Sequence, residues 1–484
     1  MLLRDTESRK HFKRMWILLV IATTFLLNAP ALGGVKDLSS HFSFYEQSTA
    51  MTLNPQKIPQ GGDNLQMESV SPNFHQDNTV TKDLPLEGLE EDDYIDFDKI
   101  LAEGDDYTEG DAIDEITTPE PDLDFVSELS DPKACRACLL RLFHGRTRLQ
   151  RINVVNAFFG FRLYRSLRSQ VNQTDNVLLA PAGISITMGM IALAVGSTTH
   201  KQLYQALGFA EFVNASIHYN DSTVHKLFSK LTHRLFRRNF GYTLRSVNDF
   251  YIKHTVVMTE GFCSQAKTYY FAEPQSVDFS DPAFLVKANQ RIQKMTKGLI
   301  KEPLKSVDPN MVMILLNYLY FKGTWEQKFP EELTHYRNFR VNEKHQKLSG
   351  MKILEQEVSP TVINKWLNNM TNRTREVVFP RFKLVQSYDL VNHLKQLGLT
   401  ELFTEKGDFS PLASEKVSVN WFKHQSAITV NEEGTEGAAL THVGFMPLST
   451  QTRFIVDRPF LFFIYEHRTD CLIFMGRVAD PSKS

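Results

Sequence analysis

The sequence predicts an α+β fold that carries a long, acidic and non-periodic N-terminal extension. Three observations support this. From about residue 151, helical and strand patterns alternate to the C-terminus. Before that, residues 34–129 show little periodic hydrophobicity and are rich in Pro, Asn, Gln, Asp and Glu. Such a composition buries too little apolar surface to offset the entropy of ordering. The chain then closes in a very hydrophobic hairpin, 460–465 and 472–478, turning around Arg468, Thr469 and Asp470.

The 484 residues, 42% of them hydrophobic, suffice for one large domain with an appendage. At the N-terminus, Arg9, Lys10, Lys13 and Arg14 precede an apolar run over 15–27, and Ala31, Leu32 and Gly33 offer small residues for cleavage. This pattern predicts a secretory signal over 1–33. The run is short for a membrane span, and an uncleaved anchor is the alternative. Residues 34–150 are then expected to be a disordered extension.

Charge is strongly segregated. Between 87 and 128 there are eighteen Asp or Glu and one basic residue, Lys99, a net of −17. The whole chain carries −2, so the remainder carries +15. Two such halves attract each other, and each can take a partner of opposite sign. Within the acidic stretch, Tyr94 and Tyr107 stand thirteen residues apart in EEDDYID and GDDYTE, both embedded in carboxylates. That context resembles a tyrosine-sulfation site. Ile95, Phe97, Ile100 and Leu101 supply apolar anchors beside it, which suits a basic partner groove with hydrophobic pockets. A solvated charge run is the plainer alternative.

Five sequons fit a secreted glycoprotein: Asn172, Asn214, Asn220, Asn369 and Asn372, the last two close enough to crowd each other. Four cysteines are too few for a disulfide scaffold in a domain this large. Cys135 and Cys138 form a lone CxxC, so zinc is not expected, and the pair reads as a local disulfide or two thiols in a linker.

The first helix of the folded region is expected near 151–170 and the next at 184–193. Residues 224–239, VHKLFSKLTHRLFRRN, form a helix with two functions. At 100° per residue, Lys226, Lys230, Arg234 and Arg237 fall within about 80° of arc. Val224, Leu227, Phe228, Leu231 and Leu235 occupy a neighbouring apolar face, and Arg238 stands at the C-terminal end. A row of cations on a packed helix binds a linear polyanion through ion pairing and counterion release. For an extracellular protein that polyanion is a sulfated glycosaminoglycan, while a merely solvated basic face is the alternative. Arg146, Arg148 and Arg151 are weaker candidates to extend the patch.

Residues 431–448, NEEGTEGAALTHVGFMPL, are the most telling stretch. From Thr435, every second residue (Thr435, Gly437, Ala439, Thr441) is small enough to face a packed sheet interior. Yet the segment is polar and interrupted by glycine. A stretch able to be either exposed loop or inserted strand is a two-state element.

Five dispersed motifs now fall in order: NVLLAP over 176–181, TTHKQL over 198–203, NYLYFKGTW over 317–325, FPRF over 379–382 and DRPF over 457–460. With them the chain resembles the serpins from about 154 to 484. The resemblance implies a mixed five-stranded main sheet, helices, and an exposed reactive loop over about 432–453. It implies a protease inhibitor rather than an enzyme, with the reactive bond at Leu448–Ser449. Glu432, Gly434, Thr435, Gly437, Ala438 and Ala439 match the loop's hinge. Glu432 and Arg381 match an ion pair near Trp325. The basic helix matches the one with which heparin-binding members hold their activator, although Ser229 and His218 stand where further cations are expected. Acidic tail, basic helix and Leu-Ser bond together resemble the members of the family that inhibit thrombin under glycosaminoglycan activation. Leu448 also suits chymotrypsin-like proteases. Heparin or dermatan sulfate would be the activating polyanion, with no other cofactor and no metal, nucleic acid or membrane partner. A secreted monomer, found in plasma, is the expected form.

The chain departs from the family in one place. The region 154–484 is short, and the shortfall falls near 347–350, where several strands should precede a helix beginning near Leu354. The missing piece should hold the first three strands of the small sheet that receives the C-terminal hairpin. Without them, 460–465 is expected to lack a neighbouring strand and to expose an apolar edge. Gly437 should weaken an inserted strand slightly, whereas Leu440 and His442 have outward parity. A non-inhibitory or misfolded isoform is therefore the competing reading. An enzyme is disfavoured, because the sequence shows no nucleophile elbow, paired metal-ligand motif or phosphate loop.

Overall fold

The computed structural model describes residues 17–23, 132–236, 242–296, 298, 300, 304–323, 325, 328–341, 346–369, 376–432 and 453–483. All belong to one unit, Met1–Glu46 with Phe97–Ser484. The other unit, Gln47–Asp96, lies outside the described residues. The helices are α1 (Pro132–Phe143), α2 (Arg148–Arg168), α3 (Pro181–Ala192), α4 (Ser197–Leu207), α5 (Phe209–Val213), α6 (Asp221–Phe236), α7 (Glu260–Tyr270), α8 (Pro282–Met295), α9 (Gln346–Glu357), α10 (Pro360–Asn369) and α11 (Val391–Gln396). The strands are β1 (Ile17–Thr23), β2 (Val177–Leu179), β3 (Tyr242–Lys253), β4 (Gln275–Val277), β5 (Met313–Gly323), β6 (Glu376–Val378), β7 (Phe382–Asp389), β8 (Trp421–Val430), β9 (Arg453–Ile455), β10 (Phe460–Glu466) and β11 (Cys471–Val478).

The folded body starts earlier than composition suggests. α1 lies inside 34–150 and buries Leu139, Leu140, Leu142 and Phe143 in the main core. Its apolar run is too short for helical periodicity to show against the polar stretch before it. α2 follows, opened by a capping box in which Thr147 Oγ1 accepts from the Gln150 N–H and the Gln150 side chain accepts from the Thr147 N–H.

The main sheet has the order β4-β3-β5-β8-β7. β5 is antiparallel to β3 and parallel to β8, and β8 is antiparallel to β7. β5 is covered on both faces, as period-2 alternation shows. Met313, Leu315, Leu319 and Phe321 join the larger core, while Ile314, Leu316, Tyr318 and Tyr320 join a second one with Phe284, Ala288 and Ile292 of α8. α3 is buried on every side and rides directly on β5. A Cβ at Gly183 would come within 2.3 Å of Leu319 Cδ1 and 3.1 Å of the Asn317 amide, so a larger residue there would push both β5 side chains aside.

The second sheet has the order β1-β10-β11-β2, antiparallel throughout. β10 and β11 are buried along their whole length. This corrects one expectation: 460–465 does not lack an outer neighbour. β1 pairs with β10 through seven consecutive residue pairs, from Ile17↔Glu466 to Thr23↔Phe460. The physical reason is that an open edge of backbone N–H and C=O groups accepts any strand-forming segment. ILLVIAT qualifies, with β-branched residues at Ile17, Val20, Ile21 and Thr23. The apolar run read as the core of a leader is thus a sheet strand in this structure.

Only residues 342–345 separate Val341 from α9. Both flanks are firmly held. Arg340 donates its N–H to the Asp457 carbonyl at 2.8 Å and pairs with the Asp457 carboxylate at 3.0 Å. On the far side, the buried Glu355 carboxylate meets Arg168 Nε at 2.6 Å and Arg477 Nη1 at 3.1 Å, and accepts from the Tyr164 hydroxyl at 2.8 Å.

Candidate functional site

The site is the end of β8 and the seam it forms with β5. β8 stops at Val430, and the next two residues are clamped. Trp325 Nε1 donates to the Asn431 carbonyl at 2.8 Å. Glu432 is 7% exposed. Its carbonyl accepts from the Phe329 N–H at 3.1 Å, and its Oε1 accepts from Thr334 Oγ1 at 2.8 Å and from Arg381 Nη1 at 3.3 Å. Burial pushes the Glu432 carboxyl up, but the Thr334 hydroxyl, its own backbone and the Arg381 guanidinium outweigh that and hold it below the ordinary glutamate value. Aromatic packing steadies the surround, with Trp325 edge-on to Phe329 and to Phe379. The ion pair that the resemblance implies, Glu432–Arg381 near Trp325, is present.

Halfway down the seam lies a polar knot that the sequence reading missed. Asn317 of β5 stands opposite His424 of β8. His424 is fully buried: its Nδ1 contacts Asn317 Oδ1 at 2.6 Å, and its Nε2 accepts from the Ala180 N–H at 3.3 Å. The acceptor role of Nε2 fixes the proton on Nδ1. Asn317 Nδ2 donates in turn to Thr187 Oγ1 at 3.2 Å and to Asn248 Oδ1. Burial lowers the His424 pKa to about 3, so the ring is neutral at physiological pH. These bonds cross from β5 to β8 and up to α3, alongside the nine-pair parallel ladder that closes the seam. The only sequence signal was a histidine inside an apolar strand, which by itself marks no role.

On the second candidate surface, α6 presents Lys226 exposed and Lys230 and Arg234 half-buried, while Val224, Leu227, Phe228, Leu231 and Leu235 are buried against the body. The division into packed and basic faces follows the expected periodicity. Arg151 does not extend the row: it is fully buried, donating to the Phe143 carbonyl at 3.2 Å and the Tyr219 hydroxyl at 2.9 Å. Arg146 is drawn away to Asp470 at 2.9 Å, and Arg148 lies over the Tyr219 ring. Of the sequon residues, Asn172, Asn214, Asn220 and Asn369 are exposed. Asn220 also opens α6, its Oδ1 accepting from the Thr223 N–H at 2.9 Å. Cys138 is buried, its Sγ accepting from Arg141 Nη2 at 3.6 Å. Leu448, Ser449, Gly434, Thr435, Gly437, Ala438, Ala439, Arg237, Arg238, Tyr94, Tyr107 and Asn372 lie outside the described residues.

A family model described as serpin (serine protease inhibitor) matches this chain over 154–351 and 345–481. The chain belongs to the serpins. The serpin match arrives in two pieces that overlap over 345–351, at the start of α9. Among relatives, heparin cofactor 2 of rat is 48% identical over 463 residues, 87% of this chain and 94% of that protein. Human heparin cofactor 2 is 46% identical over 501 residues, 95% of this chain and 98% of that one. That alignment is longer than the 484 residues of this serpin, so the human protein holds residues without a counterpart here. Solved structures share the fold: human thyroxine-binding globulin with thyroxine (TM-score 0.63, 22% identity, 70% of this chain and all of that one) and mouse protein Z-dependent protease inhibitor (TM-score 0.61, 24% identity, 72% and all). Native protease nexin-1 with heparin covers 69% of this serpin at TM-score 0.60 and 23% identity.

Proposed function

We propose that this serpin is a suicide-substrate inhibitor of thrombin, and of chymotrypsin-like proteases through Leu448, secreted and activated by heparin or dermatan sulfate. The observation that carries the reading is the clamp on Glu432 at the head of a parallel pair. β5 and β8 run the same way, so a segment turning back after Glu432 would lie antiparallel to both and could hydrogen-bond along each edge. Thr435, Gly437, Ala439 and Thr441 are the small alternate side chains with which such an insertion begins.

In this mechanism the protease serine Oγ attacks the Leu448 carbonyl carbon. The bond to the Ser449 nitrogen breaks, that nitrogen takes a proton as the new amine, and Leu448 is left as an ester on the protease. The freed segment enters the β5/β8 seam before water can hydrolyse the ester, carrying the protease with it and distorting its active site. Leucine is a poor residue for thrombin, whose pocket favours arginine. The acidic segment around Tyr94 and Tyr107, sulfated or not, compensates by binding a basic exosite, which makes the attack effectively intramolecular. In this reading the resting acidic segment and the cations of α6, with Arg237 and Arg238, attract each other by opposite charge. Glycosaminoglycan competes for those cations and frees it.

The test is a denaturing gel of the protein mixed with thrombin, with and without dermatan sulfate. A stable high-mass band that strengthens with the polysaccharide is expected. Thr435→Arg, placing a charge on the inward parity, should abolish the band and leave cleavage at Leu448–Ser449. The division of the family match into two pieces that overlap at 345–351 favours a second reading, an isoform that has lost three strands and cannot trap its target. It predicts cleavage without complex in the unaltered chain.

A further inference from the structure

Asn317 and His424 tie one face of the β5/β8 seam. The residues that follow them, Tyr318 and Gln425, turn to the other face, and there the polar groups are left untied. Tyr318 of β5 and Gln425 of β8 are direct partners in the parallel ladder, and both are buried. Among the described residues, neither Tyr318 Oη nor Gln425 Oε1 has a hydrogen-bond partner. Tyr318 belongs to the second core, packed with Ala288 and Ile292 of α8 and with Ala427 of β8. One strand further across the same face, polar burial is satisfied. Asp249 of β3 meets Arg291 of α8 at 3.1 Å and accepts from the Tyr251 hydroxyl at 2.9 Å. The unmet groups fall instead on the two strands that insertion separates.

A buried polar atom that has given up water and found no partner destabilises the state that holds it. We propose that Tyr318 and Gln425 store a load in the closed seam, and that its release helps drive the segment 435–448 into the sheet. The inference rests on the insertion mechanism above and names two residues that set its yield. When a strand enters, β5 and β8 move from about 4.8 Å apart to roughly twice that. Tyr318 and Gln425 then no longer face each other, and each gains an inserted neighbour on its open edge. The load therefore belongs to the resting state. Releasing it speeds the step that competes with hydrolysis of the Leu448 ester, and so biases the outcome toward trapping. Neither side chain touches the reacting bond, so both are positioning residues.

The test is made in the full chain with Tyr318→Phe, which deletes the hydroxyl alone, and Gln425→Met, which nearly conserves volume. Both variants should melt about 1–3 °C above the unaltered protein. The moles of serpin consumed per mole of thrombin trapped should rise roughly two- to fivefold. A synthetic peptide of sequence 435–448 should also anneal into both variants more slowly, which reads insertion without any protease. Side chains that only packed the core would not couple a gain in stability to a loss of insertion. If the unaltered chain traps no protease, the mechanism above falls, while the melting and peptide arms still decide the stored load. An unchanged or lower melting temperature in either variant shows that its polar atom has a partner, an ordered water included, and overturns the proposal. A higher melting temperature with unchanged annealing overturns the link to insertion.

Discussion

Glu432 and His424 hold the seam at two heights, and both respond to acid in the same direction for different reasons. Glu432 titrates below its ordinary value, so its contribution is present above the unfolded glutamate pKa and is lost as pH falls through the lower folded value. His424 is held neutral down to about 3. Between 3 and the unfolded value near 6.5 the unfolded chain binds the extra proton, so stability falls as pH drops through that window. From pH 7 to pH 5 the loss from this one ring is about 2 kcal/mol. The melting temperature should fall accordingly, and His424→Gln should lie lower at pH 7 but show a shallower acid slope. The Glu432–Arg381 pair is two-thirds exposed on its arginine side, so Glu432→Gln should cost about 1 kcal/mol or less. Its more telling effect should be faster loss of inhibitory capacity on incubation, as the unclamped loop inserts uncleaved. The first of these residues was legible in the sequence only because FPRF and the acidic hinge carry the family pattern. His424 was not, since its partners Asn317 and Ala180 are remote in sequence. Arg151 was misread for the same reason: helical periodicity cannot see Tyr219, sixty-eight residues on.

At the scale of elements, α6 was the easiest to read. Its apolar and basic faces repeat at a helix period, and packing on the body fixes which side remains outside. Substituting Lys226, Lys230 and Arg234 together by glutamine should weaken heparin affinity. It should also reduce the slope of log affinity against log salt by up to about one unit per cation removed. If the acidic segment rests on this helix, the same variant should raise thrombin inhibition measured without polysaccharide, which a mere loss of a binding face would not do. α1 and β1 were illegible for opposite reasons. α1 has too short an apolar run to declare a period. β1 has a run so apolar that a leader was the natural reading, and only the long-range ladder to β10 reveals the strand.

For the whole molecule, segregated charge was readable from composition, and the main sheet with a smaller buried one from motif order. What could not be read was which segment takes the outer edge of β10. Pattern predicted an open edge because it treats each absent strand as a hole. The folded chain instead pairs Ile17–Thr23 with that edge. A practical consequence follows from the anchors on either side of residues 342–345. Arg340 is tied to Asp457 before the break, and Glu355 is tied to Arg168 and Arg477 after it, so neither flank depends on the span between them. The junction behaves as a socket with two independent terminals. The absent strands of a longer relative could be spliced in there without shifting the register of anything downstream, and the graft would compete with β1 for the same edge.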